Sequence, residues 1–432
     1  LCGYGKQFSP YSSDENLIFS VEHEDHMSLG MLKIDEGMDR NWPIRIPITE
    51  SFIYDSVFHP TNGSILVHTW SYPNMSWDGS KIELLRPIQS DYSEIERIVI
   101  AGSDTIATSQ PKFSPNGEKI SFLSEKNGWL NLWIANGDGS NPLPLVEEKQ
   151  EHAYSTWVTG GSNHVWINNE KLVFTSNDMG SMSLILVDIN SKETVKLDLP
   201  EGVYAKLQSN GQYLLCWYTN YEIRGKILLI DITDIERGIT DQNVSVIANS
   251  GVKLSSKIKT NLVPPRKITF PTSDGLESHG LMYAINDSEG KLQNAPVIIN
   301  VHGGPTGMAT NSFNRSAQYF ASRGYLYFEL NYRGSIGFGK EYRQKLNGNW
   351  GVYDVNDSVD ALEYLSKEGY VDIHKSIIMG GSAGGYTVLM TMATKPGIFK
   401  AGIDLFGVSD NFLLAEDTHY LEKFYTYSLV GI

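Results

Sequence analysis

The stretch Met379-Gly-Gly-Ser-Ala-Gly-Gly385 sets one serine among four glycines. It follows the apolar run Ser376-Ile-Ile-Met379 and precedes Tyr386-Thr-Val-Leu-Met390, so it reads as a strand, a sharp turn and a helix in immediate succession. Within it, Gly380-Gly381-Ser382-Ala383-Gly384 fits the pattern G-x-S-x-G. Glycine is needed there because a Cβ two residues to either side of the serine would collide with the neighbouring strand or helix. Such a turn lifts the Ser382 hydroxyl clear of the carboxyl edge of the sheet and aims the first amides of the new helix at whatever the serine attacks. Ser382 is the candidate nucleophile. In a chain with 40 glycines the pattern alone carries little weight, and its position between strand and helix is what gives it meaning.

The surrounding sequence alternates strand and helix. The runs "APVIINV" (295–301) and "YLYFELN" (325–331) are apolar throughout, as expected of strands covered on both faces of a sheet. Val355, Val359, Leu362 and Leu365 recur at helical spacing between Asp354 and Lys367, with Asp357 and Glu363 expected on the solvent side. A helix from Ala383 to Thr394 is stopped by Lys395-Pro-Gly397, and the strand "AGIDLFGV" follows. The pattern predicts a doubly wound α/β domain. Directly after the strand 295–301 comes His302-Gly-Gly-Pro305. Its glycines allow a backbone to approach a developing oxyanion, so Gly303 and Gly304, with Ala383 across the turn, are candidate donors. His302 precedes that turn and is expected to anchor the loop rather than to act as a base.

Up to about residue 250 the chain is a series of short strand-like runs broken by Asn-Gly, Asp-Gly and Gly-Ser pairs. A repeat shows at Phe8-Ser-Pro10, Phe58-His-Pro60, Phe113-Ser-Pro115, Trp166-Ile-Asn168 and Leu207-Gln-Ser-Asn-Gly211, with offsets of 50, 55, 53 and 41 residues. That period suits four-stranded blades of a β-propeller. The polar-to-proline passage Thr260-Asn-Leu-Val-Pro-Pro265 reads as a linker. The expected organisation is a β-propeller over 1–258 and an α/β-hydrolase domain over 259–432, its sheet mostly parallel and its C-terminal part absent.

A chain of 432 residues with 41% hydrophobic and 20% charged residues has the composition of an ordinary globular protein. The formal charge of -15 argues against a nucleic-acid partner, and no run of eighteen apolar residues suggests a membrane span. Cys2 and Cys216 are expected to be free and partly buried. His23-Glu-Asp-His26 lacks a third ligand at fixed spacing and reads as a charged loop, so no metal is expected. Both ends look cut, which leaves a leader peptide unreadable and a cytoplasmic location the favoured expectation. A homo-oligomer is left open.

The segments "VHGGP", "NYRGSIGFGKEY", "NGNWGVYDVND" and "GGSAGG", in this order behind a propeller, resemble the prolyl oligopeptidase family of serine peptidases (peptidase family S9), acylaminoacyl-peptidase or dipeptidyl-peptidase-like branch. The resemblance implies a Ser-Asp-His hydrolase of short peptides, without cofactor, in which the propeller restricts access to the site. By motif it gives Ser382 the role of nucleophile, Gly303, Gly304 and Ala383 the oxyanion hole and Arg333 a structural role, with Phe412 a guess at the substrate pocket. Family members place the triad Asp and His well beyond the nucleophile, whereas only fifty residues follow Ser382 here. Asp410 and His419 make a poor pair, so the chain as written is expected to be nearly inactive. Two alternatives stay open: a carboxylesterase or deacetylase on the same fold, and a non-catalytic propeller that binds a partner.

Overall fold

The computed structural model describes residues 16–33, 43–250, 259–285 and 293–431. Phe8-Ser-Pro10 and Cys2 lie outside the described residues. Between Asn16 and Asn249 the chain forms five antiparallel sheets, the first of three strands and the other four of four strands in plain up-and-down order. The four-stranded sheets open with Phe52–Phe58, Thr108–Phe113, His164–Trp166 and Val203–Ser209, and each lies one repeat after the last.

The period of two along a strand explains how these sheets stack, because neighbouring residues serve opposite faces. Val67 joins the apolar layer shared with the first sheet, through Leu29 and Ile53, while Leu66 joins the layer shared with the third, through Phe113 and Phe122. Leu123 then packs toward the fourth sheet with Phe174, and Val173 toward the fifth with Leu214 and Ile230. The second, third and fourth sheets are therefore covered on both faces by their neighbours, so successive sheets stack. The opening strands of the second, third and fifth sheets break register at matching places, with Asp55 (φ 50), Gln110 (φ 54) and Lys206 (φ 59) in the left-handed region. Ser20, Asp55, Lys112 and Gln208, from four of the sheets, and Ser162, two residues before the first strand of the other, line a common cavity of about 80 Å³.

From Arg266 onward the chain builds one six-stranded sheet in the order Arg266–Pro271, Glu277–Tyr283, Leu326–Asn331, Ala295–Val301, Val371–Gly381, Ala401–Leu405. The first two pairings are antiparallel and the other three parallel. Ile299 and Phe328 face the helices Tyr353–Lys367 and Ala383–Thr394, whereas Ile298 and Tyr327 face the helix Arg315–Ala321. Helices on both faces agree with the doubly wound reading. The linker is tied down as well: Val263 donates to Gln318 Oε1 at 2.7 Å and its carbonyl accepts from Gln318 Nε2 at 2.8 Å. Cys216 is a buried free thiol. Among the described residues no helix is long and apolar enough to cross a membrane.

One expectation fails here. Asp357 does not face solvent; it is fully buried, while Glu363 is exposed as expected. The reason lies 24 residues upstream: Arg333, 1% exposed, donates to Asp357 from Nε at 2.9 Å and from its backbone amide at 2.7 Å. Its guanidinium also pairs with Asp274 and lies 4.2 Å over the Tyr353 ring. The pair bolts the helix Tyr353–Lys367 to the loop after strand Leu326–Asn331, which is the structural role expected of Arg333. Asp357→Ala strands a buried guanidinium and is expected to cost about 3–5 kcal/mol in urea unfolding. Glu363→Ala on the same helix is expected to stay within about 0.5 kcal/mol.

Candidate active site

Strand Val371–Gly381 ends and helix Ala383–Thr394 begins on either side of Ser382, which has φ 54 and ψ -122. This is a conformation L-residues rarely adopt and costs of order 1–3 kcal/mol. It is held by three backbone hydrogen bonds: Ser382 N to Leu405 O at 3.1 Å, Tyr386 N to Ser382 O at 3.2 Å and Val408 N to the same carbonyl at 3.4 Å. The serine is exposed. It stands at the N-terminus of a twelve-residue helix, where partial positive charge collects.

The flanking glycines have a direct steric cause. A Cβ on Gly384 would sit 2.2 Å from the Val301 carbonyl oxygen, and one on Gly380 would sit 2.4 Å from the Gly384 oxygen. On Gly385 it would meet Asp404 Oδ1 at 2.2 Å. The strand ending at Val301 therefore touches the elbow helix backbone to backbone, and the next residues are delivered beside the serine. A Cβ built on Gly303 would lie 3.3 Å from Ser382 Cβ and 3.9 Å from the Ala383 amide nitrogen. Gly304 is exposed and has φ 125, open to glycine alone.

Four aromatic or heteroaromatic side chains fix this loop. The His302 ring stacks on Tyr332 with centroids 4.5 Å apart, makes a 2.8 Å hydrogen bond from Nδ1 to the Gly303 carbonyl and another of 2.8 Å between Nε2 and Ser335 Oγ. Because a carbonyl can only accept, Nδ1 carries the proton and Nε2 accepts from the serine. Burial pushes the imidazole down to about 4. Tyr332 OH donates to the carbonyls of His302 and Pro305 at 3.2 and 3.3 Å. Tyr425 OH accepts from Thr306 N at 3.0 Å, and Trp157, reaching in from the antiparallel sheets, donates Nε1 to Thr306 O at 2.7 Å. Trp157 also packs on Trp77 and Tyr425. Sequence reasoning missed Trp157 and Tyr425, because nothing local to either marks a partner 149 or 119 residues away.

The structure brings Ser382, Gly303 and Ala383 together, with Gly304 next in the chain, and engages Asp410 and His419 elsewhere. Asp410 Oδ1 caps the helix Asn411–Glu416 by accepting from Phe412 N and Leu413 N. His419 Nδ1 accepts from Leu421 N, and its Nε2 lies 3.5 Å from Glu22 in the first sheet. The two are thus engaged separately. Phe412 is 74% exposed on that short helix, so it is not a core residue. Leu413 on the same helix is also exposed, and Phe406, 86% exposed, reaches the Gly381 backbone. His23–His26 forms the exposed turn joining the first two strands.

Residues 311–429 match the family described as prolyl oligopeptidase family, peptidase S9. The chain is 28% identical over 330 residues to acylamino-acid-releasing enzyme 1 of Oryza sativa subsp. japonica, covering 67% of this chain and 41% of that one. It is 36% identical over 131 residues to dipeptidyl aminopeptidase BIII of Pseudoxanthomonas mexicana, covering 30% and 19% respectively. The chain thus spans less than half the length of these relatives. In three dimensions it is similar to a puromycin-hydrolyzing peptidase of Mycobacterium tuberculosis, with TM-score 0.85 and 24% identity over 99% of this chain and 66% of that one. A puromycin hydrolase structure follows with TM-score 0.83 and 23% identity over 97% and 63%.

Gly384→Ala drives a methyl into the Val301 carbonyl, and a cost of about 1–3 kcal/mol in thermal or urea unfolding is expected. His302→Gln tests the neutral imidazole. A histidine held below its ordinary value loses stability as pH falls from 6.5 toward 4, because the unfolded chain takes up the proton first. The stability gap between wild type and His302→Gln is therefore expected to be constant above pH 7. Below 6.5 it should narrow by up to about 1.4 kcal/mol per pH unit in urea titrations.

Proposed function

The chain belongs to the prolyl oligopeptidase family, and from that premise we propose that it is a serine peptidase cleaving short peptides through an acyl-enzyme on Ser382. The observation that carries this reading is an exposed hydroxyl on a φ 54 turn with the Gly303 backbone packed against its Cβ. Ser382 Oγ attacks a peptide carbonyl carbon, and the charge that develops on the oxygen is met by the amides of Ala383 and of Gly303 or Gly304. Each such donor is worth about 3 kcal/mol at the transition state. Collapse of the intermediate breaks the C–N bond, releases the amine with a proton and leaves an ester on Ser382, which water then hydrolyses. His302 is not the base in this scheme, since both its ring nitrogens are committed to the loop it shapes. In this fold the acid and base follow the nucleophile in the order Ser, Asp or Glu, His.

The five antiparallel sheets between Asn16 and Asn249 are read as blades of a β-propeller domain, residues 1–258, that restricts access to the catalytic part, residues 259–432. Support comes from their consecutive stacking, from the bulged opening strands around one cavity and from the likeness to the puromycin-hydrolyzing peptidase. Relatives named for releasing acylated amino acids and for dipeptidyl cleavage favour an amide bond as the target. Phe406, which reaches the Gly381 backbone, offers exposed apolar surface beside the elbow for a substrate side chain, and we keep the exposed Phe412 as a second candidate.

The test uses the protein expressed from its whole open reading frame. A fluorophosphonate probe is expected to label it and to fail with Ser382→Ala of unchanged circular dichroism, and peptide anilides should turn over faster than p-nitrophenyl esters. Labelling that survives the substitution would remove Ser382 from the mechanism; ester turnover without anilide turnover would make the protein an esterase.

A further inference from the structure

Where the antiparallel sheets meet the mixed sheet there is a second polar site, far from any role in the chemistry above. A small cavity of about 10 Å³ is lined by Thr108, Ser109, Glu125, Glu151, Tyr154 and Arg343, among others. That is room for one water-sized particle. Five of these residues hold a buried polar atom without a hydrogen-bond partner: Thr108 Oγ1, Ser109 Oγ, Glu125 Oε1, Glu151 Oε1 and Tyr154 OH, of which Glu125 Oε1 lies 3.2 Å from the Lys340 ammonium. Thr108, Ser109 and Glu151 are only 1%, 3% and 3% exposed, so bulk water does not satisfy them. Buried polar groups are nearly always paired, and a set of orphans converging on one hole calls for a bound particle.

Charge says which particle. Glu125 is already matched, with Arg343 at 2.7 Å and Lys340 at 3.2 Å. Arg343 spends a further donor on the Trp77 carbonyl at 2.9 Å. Glu151 is tied to backbone amides, Gly337 N to Oε2 at 2.7 Å and Gly339 beside it, and among the described residues has no cation within ion-pair distance. Asp78 is a third carboxylate that feels the same two cations. Three acids against Arg343 and Lys340 leave one negative charge over. Burial raises the Glu151 carboxyl to about 7, so the charge is present at pH 8.

We propose that this cavity binds a small monovalent cation, of the sodium class, through Glu151 Oε1 and the hydroxyl oxygens of Thr108, Ser109 and Tyr154. The donors are all oxygen, which suits a hard cation, and one uncompensated carboxylate suits a single charge. A divalent ion would want more acid, and the described residues hold no group of three or more His, Cys, Asp or Glu side chains placed for a metal. The ion would act as a clamp. Glu151 holds the Gly337 loop of the mixed sheet with its other oxygen, while Thr108 and Ser109 belong to the third antiparallel sheet.

Thermal unfolding at pH 8 tests this, with sodium chloride exchanged for choline chloride at constant ionic strength. The midpoint is expected to rise saturably by a few degrees with sodium and not with choline. Glu151→Gln should abolish the response, and Ser109→Ala should shift its half-saturation to about tenfold higher sodium, one ligand's worth. Equal midpoints in the two salts would mean that the cavity holds water only and would overturn the proposal. Should Glu151→Gln not fold, Ser109→Ala decides: an unchanged half-saturation would put the ion elsewhere and equally overturn it.

Discussion

The close approach of the Val301 carbonyl to Gly384 is the contact on which the rest of the catalytic region depends. A carbonyl oxygen occupies the place where a Cβ of residue 384 would be, 2.2 Å away. That contact sets the spacing between the central strand Ala295–Val301 and the elbow helix, and the spacing in turn decides where His302-Gly-Gly-Pro305 leaves the sheet. A wider gap would take the Gly303 backbone away from Ser382, and a donor displaced by even an ångström loses much of its effect on a developing charge. The strain at Ser382 is bearable because three backbone hydrogen bonds, from separate segments, over-determine it.

The loop itself is preorganised from two sides of the molecule. Tyr332 and His302 fix it from within the mixed sheet, while Trp157 reaches Thr306 from the antiparallel sheets. A side chain of the proposed gate thus sets the geometry of the proposed oxyanion hole. Access and chemistry then need not be separate properties: a movement of the antiparallel sheets relative to the mixed sheet would withdraw the Trp157 hydrogen bond as it opened a path.

The two halves of the site were not equally legible. The elbow could be read because its cause is local, steric and carried by glycine: a single residue between a strand and a helix leaves few conformations. The stacked sheets could be read because a repeat of turn and apolar run recurs at nearly constant offset. Asp357 could not, because an acid at a helical position next to polar neighbours looks solvated until its partner is known, and Arg333 comes from the loop after strand Leu326–Asn331. The exposure of Phe412 was hidden for a related reason. Aromatic character suggests burial, but in this structure Phe412 lies on a short helix beyond an edge strand whose five residues are all exposed. Long-range polar pairing has no sequence period to betray it.

The seam between the two parts shows the same logic in charge. Beside the aromatic packing of Trp77 and Trp157 on Tyr425 and of Phe52 on Tyr420, it carries polar contacts: Arg343 with Glu125, Lys267 with Asp178, the Gly337 amide with Glu151, and Tyr72 OH with the Tyr420 carbonyl at 2.8 Å. Desolvated ion pairs add little net stability compared with apolar contacts of the same size. They are, however, directional, and each is satisfied in one register alone. An apolar seam would hold the parts together in many neighbouring registers, with Trp157 meeting Thr306 in only some of them. A seam of charges and amides gives up strength and gains alignment, which is what a hydrogen bond crossing from one part into the other's candidate site requires.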